Sequence, residues 1–141
     1  MAESLIHATS VAHGTEGVLL IGRSGAGKSD LALRLIDRGW ELVADDYTEL
    51  DVKAGRLIAS APPRIAGKME IRGVGLVEIP YRSQAPITLV ADLDTPPDRL
   101  PEPLVWRHSE VAVPMIRLCA FEASAPLKLE WALAQTSASE R

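Results

Sequence analysis

The sequence is poor in cysteine, has no excess of basic residues and contains no long hydrophobic run. Its single cysteine, Cys119, cannot form a disulfide within the chain, and its apolar neighbours indicate a thiol in the core. The net charge of -4, without a basic stripe, argues against a nucleic-acid partner. We recognise no signal peptide, and the apolar stretches are too short to cross a bilayer. These absences predict a cytoplasmic protein with no nucleic-acid or membrane partner.

The composition is that of a globular domain. Of the 141 residues, 47% are hydrophobic and 24% are charged, which favours a folded chain over a disordered one. This length suffices to bury a core, and we find no internal repeat and no linker that could separate two domains. We therefore expect one domain over residues 1–141, with a frayed tail at 136–141.

Residues 22–29 match the phosphate-binding pattern G-x-x-x-x-G-K-[ST]. They follow an apolar run at 16–21 that predicts a buried strand, and they lead into a helix predicted at 28–38, whose N-terminal dipole would point at the phosphates. Lys28 is expected to reach the β- and γ-phosphates, and the Ser29 hydroxyl to bind Mg²⁺. The alternative is a glycine-rich structural turn. The residues expected to bind nucleotide are Gly22, Arg23, Ser24, Gly25, Ala26, Gly27, Lys28 and Ser29.

The rest of the chain predicts short strands, with one more helix near the C-terminus. Two further segments, 61–68 and 94–103, are rich in proline or glycine and are expected to be irregular. The sequence thus indicates an α/β fold, a single P-loop domain with a mixed, largely β core and few helices. The expected strands are 5–11, 16–21, 40–44, 48–52, 56–60, 76–79, 87–92 and 111–118, and the helices are 28–38 and 126–135.

Two consecutive aspartates, Asp45 and Asp46, end the strand predicted at 40–44. In open α/β sheets, ligands bind beyond the carboxyl ends of the strands, where P-loop enzymes often place a carboxylate for Mg²⁺. The pair could divide two tasks, metal positioning and general base. Only one of the two side chains can face the site while the chain stays extended. The alternative is an ordinary turn at a strand end, where aspartate is common.

The segment from Glu70 to Gly75 places a carboxylate and a guanidinium on either side of an apolar residue, followed by two glycines. Such a loop could bring Glu70 to a metal and Arg72 to a phosphate oxygen. A charged surface turn before a strand explains it equally well. The segment reads Glu70, Ile71, Arg72, Gly73, Val74 and Gly75.

Taken together, the segments 22–39, 42–46 and 70–76 resemble the HPr kinase/phosphorylase family, and the resemblance covers about residues 5–99. The family resemblance implies a fold like that of HPr kinase and phosphoenolpyruvate carboxykinase. It implies ATP- and Mg²⁺-dependent phosphorylation of a serine on HPr, the phosphocarrier of the sugar phosphotransferase system. The reverse reaction in this family is attack by inorganic phosphate, which yields pyrophosphate.

The resemblance assigns roles to individual residues. Asp46 matches the family's proton acceptor, which takes the proton of the target serine and returns it in the reverse reaction. Asp45 would support the metal or its water, and Glu70 matches a second metal ligand. Lys28 would bind the transferred phosphoryl group, beside the metal ligand Ser29.

Two further catalytic residues come from the resemblance alone. His7 precedes the phosphate-binding loop by the family's spacing for its catalytic histidine, so the role falls to His7 and not to His13. From its own sequence context, His7 would be a core or edge histidine. Arg99 matches a family arginine in an Asp-Arg-Leu motif that would neutralise phosphate charge.

The chain also departs from the family pattern. Family members usually carry a further N-terminal domain, so the resemblance is to a short form known among alphaproteobacteria. An arginine-rich segment tied to dephosphorylation is replaced by residues 113–118, where only Arg117 remains. A mainly forward kinase with weak phosphorylase activity is therefore expected. Because the C-terminal part is reduced to one helix, the oligomeric state stays open.

Two other functions fit the same motifs. A P-loop kinase of a small metabolite would need a lid over Asp46, for which this chain has little spare sequence. A non-catalytic nucleotide sensor would not need Asp46 as a base.

Overall fold

A computed structural model describes residues 4–139, with side chains described as far as residue 137. Two α-helices and eleven β-strands are present in this range, with one short 3-10 helix at Pro63–Ile65. The helices are α1 (Lys28–Asp37) and α2 (Ala125–Ser139). The strands are β1 (Ser4–Ile6), β2 (Ala8–His13), β3 (Glu16–Ile21), β4 (Glu41–Ala44), β5 (Thr48–Lys53), β6 (Arg56–Ser60), β7 (Lys68–Ile71), β8 (Gly75–Glu78), β9 (Ala85–Asp92), β10 (Leu104–His108) and β11 (Val111–Arg117).

Nine of the strands form one sheet, in which seven lie in the order β1-β5-β6-β9-β3-β2-β4 and the other two, β10 and β11, join at β9. Strand β9 is the branch point of this sheet. Its amino end pairs with β6, and its carboxyl end pairs with β11, which in turn pairs with β10. Strands β7 and β8 form a separate hairpin. The α/β fold with a largely β core is thereby confirmed.

The strand directions gather four carboxyl ends at one edge of the sheet. Strands β3 and β11 both run parallel to β9. Strand β2 is antiparallel to both β3 and β4, so β4 runs in the same direction as β3. The amino end of β2 therefore lies at the same edge as the carboxyl ends of β3, β4, β9 and β11. The residues that follow or precede these ends meet there.

Alternating side chains on the central strands supply both faces of the sheet with core residues. Val18 and Leu20 of β3 pack with the helices, against Leu31 and Leu129. Leu19, between them in sequence, packs on the opposite face, in a cluster that includes residues of β5 and β6. The sheet therefore curls at its β5–β6 end, and these two strands cover the face of the central strands that is not covered by a helix.

The two helices are held side by side through one carboxylate. Glu130 of α2 accepts hydrogen bonds from Arg38, at 2.7 and 3.0 Å, and from Trp40 Nε1 at 3.1 Å. The Arg38 hydrogen bonds lower the pKa of Glu130, with a smaller contribution from Trp40, while burial opposes them. Neither helix, among residues 4–139, is long and apolar enough to span a bilayer.

Several local predictions are confirmed, because their signals lie within a few residues. Strand β3 has the predicted bounds and α1 begins at the predicted Lys28. Gly39, two residues after α1, has φ 98°, and its N–H donates to Ile36 O at 3.0 Å, as expected of a glycine after a helix.

Other local predictions are wrong. Residues 5–11 do not form one strand, since β1 pairs with β5, β2 pairs with β3, and His7 interrupts the two. Strand β10 was not predicted, and the segment 68–71 is a strand rather than part of a loop.

Helix α2 continues to Ser139, where a frayed tail is predicted from 136. Thr136 and Ser137 both donate to carbonyls four residues earlier, and Ser137 also contacts Glu16, which holds this last turn. Glu140 and Arg141 lie outside the described residues.

Candidate active site

The phosphate-binding loop turns from the carboxyl end of β3 into α1. Gly27 has φ 99°, and its carbonyl accepts the first helical hydrogen bond from Leu31 N at 2.9 Å. A Cβ at this position would also lie 2.8 Å from the Ala120 side chain. Only glycine satisfies both the backbone conformation and the close approach. The N-terminus of α1 consequently opens toward the sheet edge, as a phosphate site requires.

Lys28 lies over this loop with only 6% of its surface exposed. Its Nζ donates to Gly22 O at 2.6 Å and to Arg23 O at 3.0 Å. An ammonium has three donors, so one remains for a phosphate oxygen. Burial lowers the pKa of Lys28, whereas the nearby carboxylates of Asp46, Asp94 and Asp45 act in the opposite direction.

Ser29 and Asp45 meet at the first turn of α1, where the Ser29 Oγ donates to Asp45 Oδ1 at 2.6 Å. Asp45 is buried, and its carboxylate also accepts from Thr9 Oγ1 at 3.3 Å and from the backbone N–H of Glu70 at 3.4 Å. Strand β7 therefore places the backbone of Glu70 at the site, while the Glu70 side chain is exposed.

These oxygen atoms fit Mg²⁺. Within residues 4–139, no three side chains of the histidine, cysteine, aspartate and glutamate types come together as a closed metal site. Mg²⁺ usually takes one or two carboxylates and completes its shell with water and substrate phosphates. Ser29 and Asp45 beside a phosphate-binding loop match that donor set, and the backbone N–H of Glu70, 3.4 Å from Asp45 Oδ2, places that residue next to them.

Asp46 pairs with His7 at the exposed side of the same edge. The His7 Nε2 lies 2.7 Å from Asp46 Oδ1, and because an ionised carboxylate only accepts, Nε2 carries the proton. The His7 ring lies 5.2 Å from the Tyr47 ring. The Asp46 side chain remains 57% exposed, so a substrate hydroxyl can reach it.

Both aspartates face the site, although an extended chain would allow only one to do so. Asp46 has φ 69°, in the left-handed region that aspartate tolerates better than most residues. This conformation turns the chain immediately after β4. Asp45 is thereby directed to Ser29, and Asp46 to His7.

A family model described as the HPr Serine kinase C-terminal domain matches residues 1–88 of this chain. The chain belongs to this family. That match covers the strand–loop–helix unit, both aspartates and His7. The membership confirms the resemblance drawn from the three sequence segments. The short form of alphaproteobacteria stays a prediction.

Curated relatives agree with this membership. HPr kinase/phosphorylase of Clostridium tetani is 47% identical over 64 residues, which is 45% of this chain and 21% of that protein. The enzyme of Bacillus pumilus is 41% identical over 106 residues, which is 65% of this chain and 34% of that protein. The chain thus matches about a third or less of the length of these relatives.

The fold has a close counterpart among solved structures. The Hpr(Ser) kinase/phosphatase from Coxiella burnetii superposes with a TM-score of 0.84 at 27% sequence identity. The superposition covers 97% of this chain and 98% of that one. The likeness therefore includes the C-terminal elements β10, β11 and α2, which lie beyond the family match.

Two site residues of this HPr kinase domain were missed from sequence. Thr9, on β2, accepts from the Asp46 N–H at 3.1 Å while donating to Asp45. The sequence feature that could have indicated this role is the presence of a threonine and a serine within an otherwise apolar strand. Asp94 follows β9 and accepts from the Arg23 N–H at 3.0 and 3.1 Å, which fixes the start of the phosphate-binding loop. Its position depends on β9 pairing beside β3, which no local pattern shows.

Three arginines are not joined to the centre of the site. Arg72 and Arg99 are exposed, the first in the turn between β7 and β8 and the second in the irregular segment after β9. Within the described range, neither makes a hydrogen bond or ion pair with the phosphate-binding loop or with the aspartates. Arg117 lies on β11, and its Nε is buried there without a partner.

Replacing Thr9 with valine is expected to destabilise the domain by about 1–3 kcal/mol, the typical cost of a buried polar group left without its partner. The Asp46 N–H loses its acceptor, and the Asp45 carboxylate loses a donor. Chemical denaturation of Thr9→Val and the unsubstituted chain measures the effect. Thr88→Val is the matched control, because its buried hydroxyl has no partner and its removal is expected to be near neutral. Equal stability of the two variants would contradict the role given to Thr9.

Proposed function

We propose that this chain transfers the γ-phosphoryl group of ATP, with Mg²⁺, to a serine hydroxyl of an HPr-like phosphocarrier protein. The observation that carries the proposal is the exposed His7–Asp46 pair at the same sheet edge as the buried Lys28. A cation for phosphate and a carboxylate open to a protein substrate thus stand side by side. Family membership and the Coxiella likeness support the substrate class.

In the proposed reaction, Asp46 accepts the proton of the attacking serine. The serine oxygen bonds to the γ-phosphorus while the bond from that phosphorus to the bridging oxygen breaks, which leaves ADP. His7 holds the Asp46 carboxylate in place through its Nε2–H. Lys28 and the loop N–H groups face the charge that develops on the phosphoryl oxygens. Mg²⁺, held by Ser29 and Asp45 with Glu70 beside them, would neutralise phosphate charge.

One incubation distinguishes this proposal from its rivals. The chain is mixed with ATP, Mg²⁺ and an HPr-like carrier, and phosphoserine on the carrier is measured by mass spectrometry. A carrier with alanine at the target serine is the matched control. Phosphoserine on the first carrier alone supports the proposal. A nucleotide sensor would bind ATP without transfer, and a metabolite kinase would leave the carrier unmodified.

Because the proposed donor and carrier are cytoplasmic, we also propose that location.

The reverse reaction is expected to be weak. Phosphorolysis needs inorganic phosphate held in line with phosphoserine, and two phosphates repel unless positive charge is concentrated between them. Arg72 and Arg99 are exposed, and Arg117, at the carboxyl end of β11, makes no hydrogen bond to the loop or to the aspartates within the described residues, so we expect none of the three to add charge beside Lys28. Pyrophosphate release from phosphorylated carrier, with phosphate and Mg²⁺ but no ATP, measures this. A rate equal to that of the forward reaction would contradict the expectation.

A further inference from the structure

A cavity of about 550 Å³ opens beside the phosphate-binding loop. One wall is the loop itself at residues 23–26, the floor is Leu93 and Asp94, and the far wall is the segment 119–122 that follows β11. Its volume lies within the usual range for small-molecule sites. The residues given roles in the proposed ATP-dependent function leave this cavity unused, and a role for it rests on that function.

The strand order places this cavity on the side of the loop away from phosphoryl transfer. The loop follows β3, in the middle of the sheet edge. Asp46 and His7 lie on the β2–β4 side of it, whereas the cavity is lined by residues that follow β9 and β11. A nucleotide whose γ-phosphate points toward Asp46 must extend its nucleoside in the opposite direction. That direction leads into the cavity.

Phe121 presents an aromatic ring on the far wall of this cavity. The side chain is 70% exposed, although it lies against the loop, where a Cβ added to Gly27 would be 3.0 Å from the ring. An aromatic ring next to a phosphate site offers a stacking surface, since every nucleobase has a π-face. The ring is therefore close to the phosphates and still free to contact a base.

The backbone on both sides of Phe121 is fixed to α1. The Arg34 guanidinium donates to Ala120 O and, at 3.1 Å, to Glu122 O. Asp30, one turn earlier, accepts from Arg34 Nε at 3.1 Å, and Lys128 holds the Glu122 side chain at 2.8 Å. The segment 119–122 is thus preorganised rather than a free loop, which reduces the entropy lost on binding.

We infer that the cavity holds the nucleoside of the phosphoryl donor, with its base stacked on Phe121, and that Arg34 is a positioning residue for this wall. The same helix then positions both the phosphate site and the base site, because α1 carries Lys28 and Arg34. Asp94, at the cavity floor, connects the two through the Arg23 N–H.

Equilibrium binding with and without a base tests the inference. Calorimetry in the presence of Mg²⁺ compares ATP with tripolyphosphate for the unsubstituted chain, Phe121→Ala and Phe121→Tyr. Loss of one stacked base typically weakens binding roughly five- to hundred-fold. Phe121→Ala should lose that factor for ATP and bind tripolyphosphate unchanged, while Phe121→Tyr should retain ATP binding. An equal loss for both ligands, or no loss for either, would overturn the inference.

A second variant tests the wall without touching the base. Arg34→Gln should raise the KM for ATP and leave kcat nearly unchanged, with Arg38→Gln, at the residue that follows the same helix, as the control. A fall in kcat without a change in KM would show that Arg34 does not act through nucleoside binding. If Phe121→Ala weakens ATP binding as expected but the chain phosphorylates no carrier, the proposed function is wrong and the cavity inference stands. If the unsubstituted chain binds tripolyphosphate as tightly as ATP, the cavity inference is wrong and the phosphate site stands.

Discussion

Replacing Asp46 with asparagine is expected to slow phosphoryl transfer by about 10²–10⁴-fold, the usual contribution of a general base. The amide keeps the shape of the carboxylate and can still accept from His7 Nε2, but it cannot take a proton at neutral pH. ATP affinity should change by no more than a few-fold, because Asp46 lies on the acceptor side of the loop. The measurement is the initial rate of carrier phosphorylation at saturating ATP, together with the Kd for ATP.

Asp45→Asn is the matched variant for this experiment, since the two aspartates are adjacent and differ in contacts. Asp45 is bonded to Ser29, so its loss should raise the Mg²⁺ concentration needed for half-maximal rate. Titrating Mg²⁺ for both variants separates the base from the metal ligand. If additional Mg²⁺ restores Asp46→Asn and not Asp45→Asn, the two roles have been assigned the wrong way round.

Replacing Lys28 with alanine is expected to lower the transfer rate by about 10²–10³-fold, the effect of removing one preorganised donor from a transition state. The variant also removes the positive charge that lies near the carboxylates of Asp45, Asp46 and Asp94. Lys28→Arg should not restore the rate, because a planar guanidinium does not fit a site in which the ammonium is 6% exposed.

The control for this experiment is Lys53→Ala, an exposed lysine at the end of β5, far along the chain from the loop. Circular dichroism checks that both variants keep the native secondary structure. We expect the fold to survive in Lys28→Ala, since Nζ contacts loop carbonyls rather than core side chains. A near-normal rate of carrier phosphorylation in Lys28→Ala would refute the phosphate-binding assignment.

The sequence predicted the features whose cause is local. Strand β3, the loop and α1 follow from an apolar run, a glycine pattern and a helical period that adjoin one another. The edge strand β10 escaped prediction because its residues alternate only between half-buried and exposed, after a proline-rich segment. It becomes a strand by pairing with β11, which is a tertiary contact.

Site residues that belong to a local sequence motif could be predicted. Site residues that reach the site only because two strands pair could not. Lys28, Ser29 and the two aspartates came from patterns, and His7 came from family spacing. Thr9 and Asp94 depend on β2 and β9 lying beside β3, which only the assembled sheet specifies. The aspartates were also compatible with a turn from sequence, but the left-handed conformation of Asp46 and the hydrogen bond of its N–H to Thr9 on β2 are seen only in the assembled sheet. The role of Arg99 stays a prediction.

The central position of β9 has a consequence for how the domain assembles during synthesis. The residues of β9 emerge from the ribosome about 70 residues after their partners on β3, and β11 follows later still. Pairings this distant in sequence are slow to form and leave strand edges exposed in the meantime. A nascent chain that ends soon after the phosphate-binding loop therefore lacks Asp94, which fixes the start of that loop. It also lacks the segment 119–122, which forms the far wall of the cavity. On the proposed function, nucleotide binding is therefore acquired late, only once β9 and β11 have joined the sheet and placed Asp94 and the segment 119–122 beside the loop.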